Sequence, residues 1–208
     1  MWFESMRARQ LLKIQPSLFR AEFAVHVLII VLIIAVAIAA VAASLAIAPN
    51  AGGMLAAGLA LTVIAIAVID ARHLIIPDGL NFFGAVLGLV HAGLVGSSAG
   101  EAIALAALRG VVLALVFLAV RAIYRRLRGR EGIGLGDVKL AAVAGVWLDW
   151  HMMPIAIDIA ATAALAVYMT RQLASGRSIR PTGRIPFGLF LAPAIWIGWF
   201  LDRWLMAL

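Results

Sequence analysis

The chain reads as a series of long apolar runs separated by short polar stretches. The first run, residues 23–48, contains no Asp, Glu, Lys or Arg. It exceeds the length of about 20 apolar residues that a helix needs to cross a bilayer. Further runs follow at about 54–70, 80–97, 101–123, 137–149, 153–171 and 187–206. They are continuous rather than alternating, which predicts helices and not barrel strands. Turn residues punctuate them: Pro49, Asn50, Gly52 and Gly53, then Gly96, Ser97 and Ser98, then a basic loop over 124–136. The fifth run is short for a bilayer and is expected to be shielded, tilted or continuous with its flanking loop. The 23–48 run is too long for a signal-peptide core and has no clear cleavage site after it, so it is expected to remain as a span. The pattern predicts an all-α, polytopic membrane helix bundle with about seven transmembrane helices. It also predicts two parts: an amphipathic basic segment at 1–22, suited to the membrane surface, and a single transmembrane domain at 23–208.

Composition agrees with this. Hydrophobic residues make up 65% of the chain and charged residues 13%, against roughly half and a quarter in soluble domains. The net charge of +7 could suggest nucleic acid, but its placement argues for a membrane instead. If the N-terminus is cytoplasmic, 15 of the 17 basic residues fall on the cytoplasmic side, and only Arg109 and Arg203 fall elsewhere. That asymmetry predicts a multi-pass protein of the cytoplasmic (inner) membrane with its N-terminus inside. The basic loops then serve topology and lipid contact, and no nucleic-acid partner is expected. In the third run Gly84, Gly88, Ala92 and Gly96 recur every four residues, a stripe that lets helices approach closely in lipid.

Three acids gather at one predicted membrane face: Asp70 at the end of the second run, Asp78 after Pro77, and Asp137 after Gly134 and Gly136. Asp78 and Asp137 fit an N-cap role. Asp70 does not, because it closes its helix, where the macrodipole disfavours negative charge. Locally only Arg72 or His73 could compensate it. An acid in such a place is a functional candidate. Two carboxylates brought together can divide a hydrolysis, one activating water while the other donates a proton. The chain has no Cys. Its four His (His26, His73, His91 and His151) show no metal-ligand spacing, and no Ser lies in a GxSxG context. No metal site or cofactor is expected, and a paired-Asp site is what remains.

Asp70 with Ile76-Pro77-Asp78, Gly134-Leu135-Gly136-Asp137-Val138-Lys139, and the 184–193 stretch containing Pro186 and Gly188 together resemble the three ordered motifs of the type IV prepilin peptidases. These are aspartyl proteases of the GxGD type. The resemblance implies a six-span peptidase core with an extra N-terminal span. It implies Asp70 and Asp137 as catalytic acids, with Pro77, Asp78, Gly134, Gly136, Lys139, Pro186 and Gly188 as supporting motif positions. It further implies leader-peptide removal from a prepilin or pseudopilin substrate at the cytoplasmic face, for a pilus or a protein-secretion system. The family's bifunctional members also N-methylate their product through a region with CxxC pairs. This chain has no Cys, and methyl transfer is not expected of it. Leu189 stands where the family commonly has Pro. The glycines over 129–136 are expected to let Asp137 swing into place.

Two further charges fall inside predicted spans at similar depth, Arg109 in the fourth and Asp158 in the sixth. They are expected to form a structural intramembrane ion pair, with His91 near. Other functional classes stay open on the residues alone: a small proton-coupled transporter, which would need its acids near the midplane, or a non-catalytic pilus-assembly membrane protein.

Overall fold

In a computed structural model the protein is helical throughout its described residues. These are 2–129, 132–175 and 186–208, with side chains described from Glu22 onward, Ser175 excepted. Arg130 and the basic positions Arg177, Arg180 and Arg184 lie outside them, as do the side chains of Arg7, Arg9, Lys13 and Arg20. The helices are α1 (Trp2–Ile47), α2 (Ala51–His73), α3 (Asp78–Val95), α4 (Ala99–Arg128), α5 (Leu135–Trp147), α6 (Met152–Ser175) and α7 (Gly188–Met206). Six are long and apolar enough to cross a membrane, α1 through its Glu22–Ile47 portion. The exception is α5. Its 13 residues rise about 20 Å, short of a hydrocarbon layer of about 30 Å. The fifth predicted span is therefore a helix too short to span.

The chain forms two compact units, Met1–Ala39 and Ala40–Leu208. In the first, α1 continues unbroken, and from Glu22 to Ala39 its side chains are almost all exposed. Phe23, Leu28, Leu32 and Ile38 are each more than 60% exposed, a surface that suits lipid and not water. The second unit holds the last turns of α1 and the other six helices. There Trp196 Nε1 donates to Ser44 Oγ at 2.9 Å, and Ser44 Oγ donates back to Ala40 O at 2.8 Å.

Helix α5 lies inside this second unit, packed on α3, α4 and α7. Every residue from Leu140 to Leu148 except Ala142 is buried. Its Leu140 and Val143 join Leu59, Val63 and Ile66 of α2 and Leu191 and Ile195 of α7 in one core. Enclosure by protein explains why α5 can be short: irregular backbone at membrane depth is tolerated only where lipid does not reach it. Small residues make the enclosure possible. A Cβ on Gly145 would lie 2.4 Å from the Arg109 carbonyl oxygen of α4, and one on Gly88 2.6 Å from Val146 Cγ1. Two members of the predicted stripe, Gly84 and Gly88, thus face α5, and Trp147 Nε1 donates to Gly84 O at 2.8 Å.

The expected Arg109–Asp158 pair does not form. Arg109 Nη1 binds Asp149 Oδ1, just beyond the end of α5, while Asp158 is exposed on α6. Matching depth was not enough, because α4 packs on α5 and α3 whereas α6 packs on α7. His91 instead lies between two indoles, 4.9 Å from the Trp147 ring centroid and 6.2 Å from that of Trp199.

Gly145→Leu should prevent the α4–α5 contact, since its Cβ meets backbone that cannot give way. Overpacking of this kind costs about 1–3 kcal/mol or more. Thermal unfolding of detergent-purified protein should show a clear fall in melting temperature for Gly145→Leu. No such fall should occur for Gly100→Ala, where an added Cβ meets nothing within 4 Å. Equal melting temperatures for the two variants would contradict the packing described.

Candidate active site

Asp70 sits in the last turn of α2 and is 5% exposed. The helix stops at Leu74, whose N–H bonds to Asp70 O at 2.9 Å and whose backbone is left-handed (φ 55°, ψ 35°). That conformation costs a non-glycine residue about 1–2 kcal/mol, so packing must hold it. The turn carries the chain through Ile76 to Pro77, extended at φ −65° and ψ 130°, and into α3.

On its own helix Asp70 is badly placed. Its compensation comes from elsewhere: Leu189 N–H donates to Asp70 Oδ2 at 2.9 Å. Leu189 is the second residue of α7, where N–H groups lack intrahelical partners and a negative charge is favoured. Neither Arg72 nor His73, the local candidates, makes an ion pair with Asp70. Position 189 is also where this chain departs from the family pattern, and a proline there could not donate this hydrogen bond.

Asp137 is the third residue of α5 and is partly buried. It is not an N-cap. Gly134 takes that position, and its N–H donates to Asp137 Oδ2 at 3.1 Å. Asp137 belongs to the one helix too short to span. Burial, chiefly, raises its pKa to about 6, opposed by the Gly134 N–H and assisted by the charge of Asp70.

Three segments meet at Ile76. A Cβ on Gly136 would stand 3.0 Å from Ile76 Cβ, and one on Gly188 would stand 2.6 Å from Ile76 Cδ1 and 2.9 Å from Asp70 Oδ2. Both motif glycines are thus places where another side chain already fills the room. Asp78 is not a cap either: Pro77 holds that position and no side-chain cap bond forms. Asp78 Oδ1 instead pairs with Lys139 Nζ at 2.6 Å, which ties the start of α3 to α5. Both side chains are at least half exposed, so the pair adds at most about 1 kcal/mol. Pro186 lies just before α7, and the Phe187 ring lies 6.5 Å from that of Phe117, tilted by 36°.

In the described part of the loop before Asp137, Arg121 Nη1 donates to Ile133 O at 3.0 Å, a contact with α4. Arg121 had been assigned only to topology. Asn81, one turn into α3, is 5% exposed with neither amide atom hydrogen-bonded. It is a buried polar group that the motif reading passed over, and its signal was an amide within an apolar run. Among the described residues no three His, Cys, Asp or Glu side chains gather as metal ligands would.

Comparison with known proteins agrees with the motifs. The family model of the type IV leader peptidase family matches residues 57–169. A prepilin leader peptidase/N-methyltransferase of Burkholderia pseudomallei is 38% identical over 146 residues, 69% of this chain and 45% of that protein. Proteins of the same description from Pseudomonas aeruginosa and Aeromonas hydrophila are 38% identical over 152 residues and 32% over 168. They cover 71% and 77% of this chain, and 49% and 55% of their own lengths. The chain thus spans about half the length of the curated relatives it matches. No solved structure matches it. By a family match over more than half its length, with residues of all three motifs meeting at Ile76, the chain belongs to the type IV leader peptidase family.

Proposed function

We propose that this protein is a membrane-embedded aspartyl endopeptidase that removes the leader peptide from a prepilin or pseudopilin, with Asp70 and Asp137 as its catalytic acids. One observation carries the reading: Gly136, the neighbour of Asp137, and Gly188, whose Cβ position lies 2.9 Å from Asp70 Oδ2, both pack on Ile76, which gathers the segments bearing the two acids. Family membership and the printed names of the relatives supply the substrate class. The skew of basic residues toward the Asp70 end supports a cytoplasmic N-terminus, a site at the cytoplasmic face of the inner membrane, and lipid as the surrounding partner. Residues 1–22 would form a basic surface segment and 23–208 the peptidase domain.

In the mechanism, water attacks the scissile carbonyl carbon while Asp70 takes its proton and Asp137 gives one to the carbonyl oxygen. The tetrahedral intermediate collapses as the new amine leaves with a proton returned from the pair. Asp137 suits the acid's role, because a carboxyl with a pKa raised to about 6 keeps a proton in part of the population near neutral pH. Gly136 and Gly188 bring the segments together, Gly134 holds Asp137, Lys139 and Asp78 join α5 to α3, and Pro77 and Pro186 set the entries to α3 and α7.

Purified protein mixed with a prepilin should remove its leader. Asp70→Asn and Asp137→Asn should each lower the cleavage rate by roughly 10²–10⁴-fold while the protein stays folded in detergent. Cleavage at the unaltered rate by either variant would refute the assignment.

Leu189→Pro should lower kcat by about tenfold, the equivalent of one lost hydrogen bond to a charged group. The first turn of a helix otherwise accepts proline. Leu189→Ala keeps the N–H and should stay close to the parent rate. If Ala and Pro behave alike, the hydrogen bond has no role in the reaction.

A further inference from the structure

A second polar site lies at the other end of the bundle, where α3 ends and α4 begins. There residues of α3, α4, α5 and α7 enclose a cleft of about 210 Å³. Two guanidiniums, Arg109 and Arg203, line it together with two carboxylates, Asp149 and Asp202. The carboxylates are already engaged: Asp149 by Arg109 Nη1, and Asp202 by His151 Nε2 at 3.1 Å.

The donors are not all engaged. Arg203 makes no ion pair among the described residues. Arg109 Nε and Trp199 Nε1 are buried without an acceptor, and Trp199 as a whole is 2% exposed. Buried donors in native proteins nearly always have a partner, and each exception calls for an explanation. Asp149 and Asp202 balance the two guanidiniums in formal charge, and what remains is Arg203 without an ion pair and two buried N–H donors without an acceptor, which the several oxygens of an oxyanion would fill. Several N–H donors around two guanidiniums suit the oxygens of a phosphate. The lining also continues onto the flank of the bundle through Val95, 44% exposed, and Leu105, 52% exposed, which gives an apolar chain attached to that phosphate a surface to lie on.

We propose that this cleft binds a phosphate oxyanion, with Arg203 as its charge partner and Arg109 Nε and Trp199 Nε1 as further donors. Phospholipid headgroups and free phosphate both carry that chemistry. The proposal uses neither Asp70 nor Asp137 and stands apart from the peptidase reading.

The test uses the full chain, delipidated in detergent, with binding followed by native mass spectrometry and by tryptophan fluorescence. Three probes are added separately: phosphatidylglycerol, diacylglycerol with the same acyl chains, and inorganic phosphate. Saturable binding of phosphatidylglycerol, with diacylglycerol much weaker, is the expected result. Arg203→Gln should weaken it by about tenfold or more, as loss of a charge-assisted contact does. Trp199→Phe, which keeps the ring and removes only the N–H, should weaken it by a smaller factor. Binding of inorganic phosphate that depends on Arg203, without lipid binding, supports the same site with a free anion as its source. Three results overturn the proposal: no binding of either phosphate probe, diacylglycerol binding as tightly as phosphatidylglycerol, or affinities unchanged in both variants.

Discussion

The site depends on a carboxylate that its own helix cannot stabilise. Asp70 closes α2, where the backbone dipole opposes its charge, and it is almost fully buried. A buried, unpartnered carboxylate would be costly. The start of α7 supplies what α2 lacks, through the Leu189 N–H. That requirement fixes where α7 must begin, and Gly188 must lack a side chain for it to begin there.

Helix α5 brings the second acid to the same place. It is too short to span, and the bundle accepts it because α3, α4 and α7 surround it. Close approach at Gly88 and Gly145 sets its position. Arg121 Nη1 donates to Ile133 O in the segment leading into it. The Lys139–Asp78 pair lies outside, in solvent, and contributes alignment more than energy.

Much of this was legible in the sequence, for physical reasons. Lipid forces long apolar runs, so the spanning helices could be read directly, and the short fifth run already pointed to shielding. Asp70 could be recognised as misplaced from the dipole of its own helix alone. What stabilises it could not, because the donor is a backbone N–H 119 positions away, and backbone groups leave no sequence signal. Asp78 was read as a cap and instead pairs with Lys139, while Asp137 caps from the third helical position rather than the first, since an acid at a helix start looks the same in each case. The Arg109 partner was misassigned because depth along a helix is legible and lateral adjacency is not. The family pattern showed Leu189 only as a departure; the structure gives that departure a chemical consequence.

The central claim is that the segments around Asp70, Asp137 and Gly188 meet at Ile76. The chain has no cysteine, so an introduced pair reports cleanly. The Gly136 Cβ position lies 3.0 Å from Ile76 Cβ, near the separation of about 3.5–4.5 Å that a disulfide bridges. Ile76→Cys with Gly136→Cys should form an intramolecular disulfide under mild oxidant in membranes, seen as a mass loss of two hydrogen atoms that reduction restores. A double variant that is folded, has both thiols reactive to a maleimide and yet never cross-links would contradict the account.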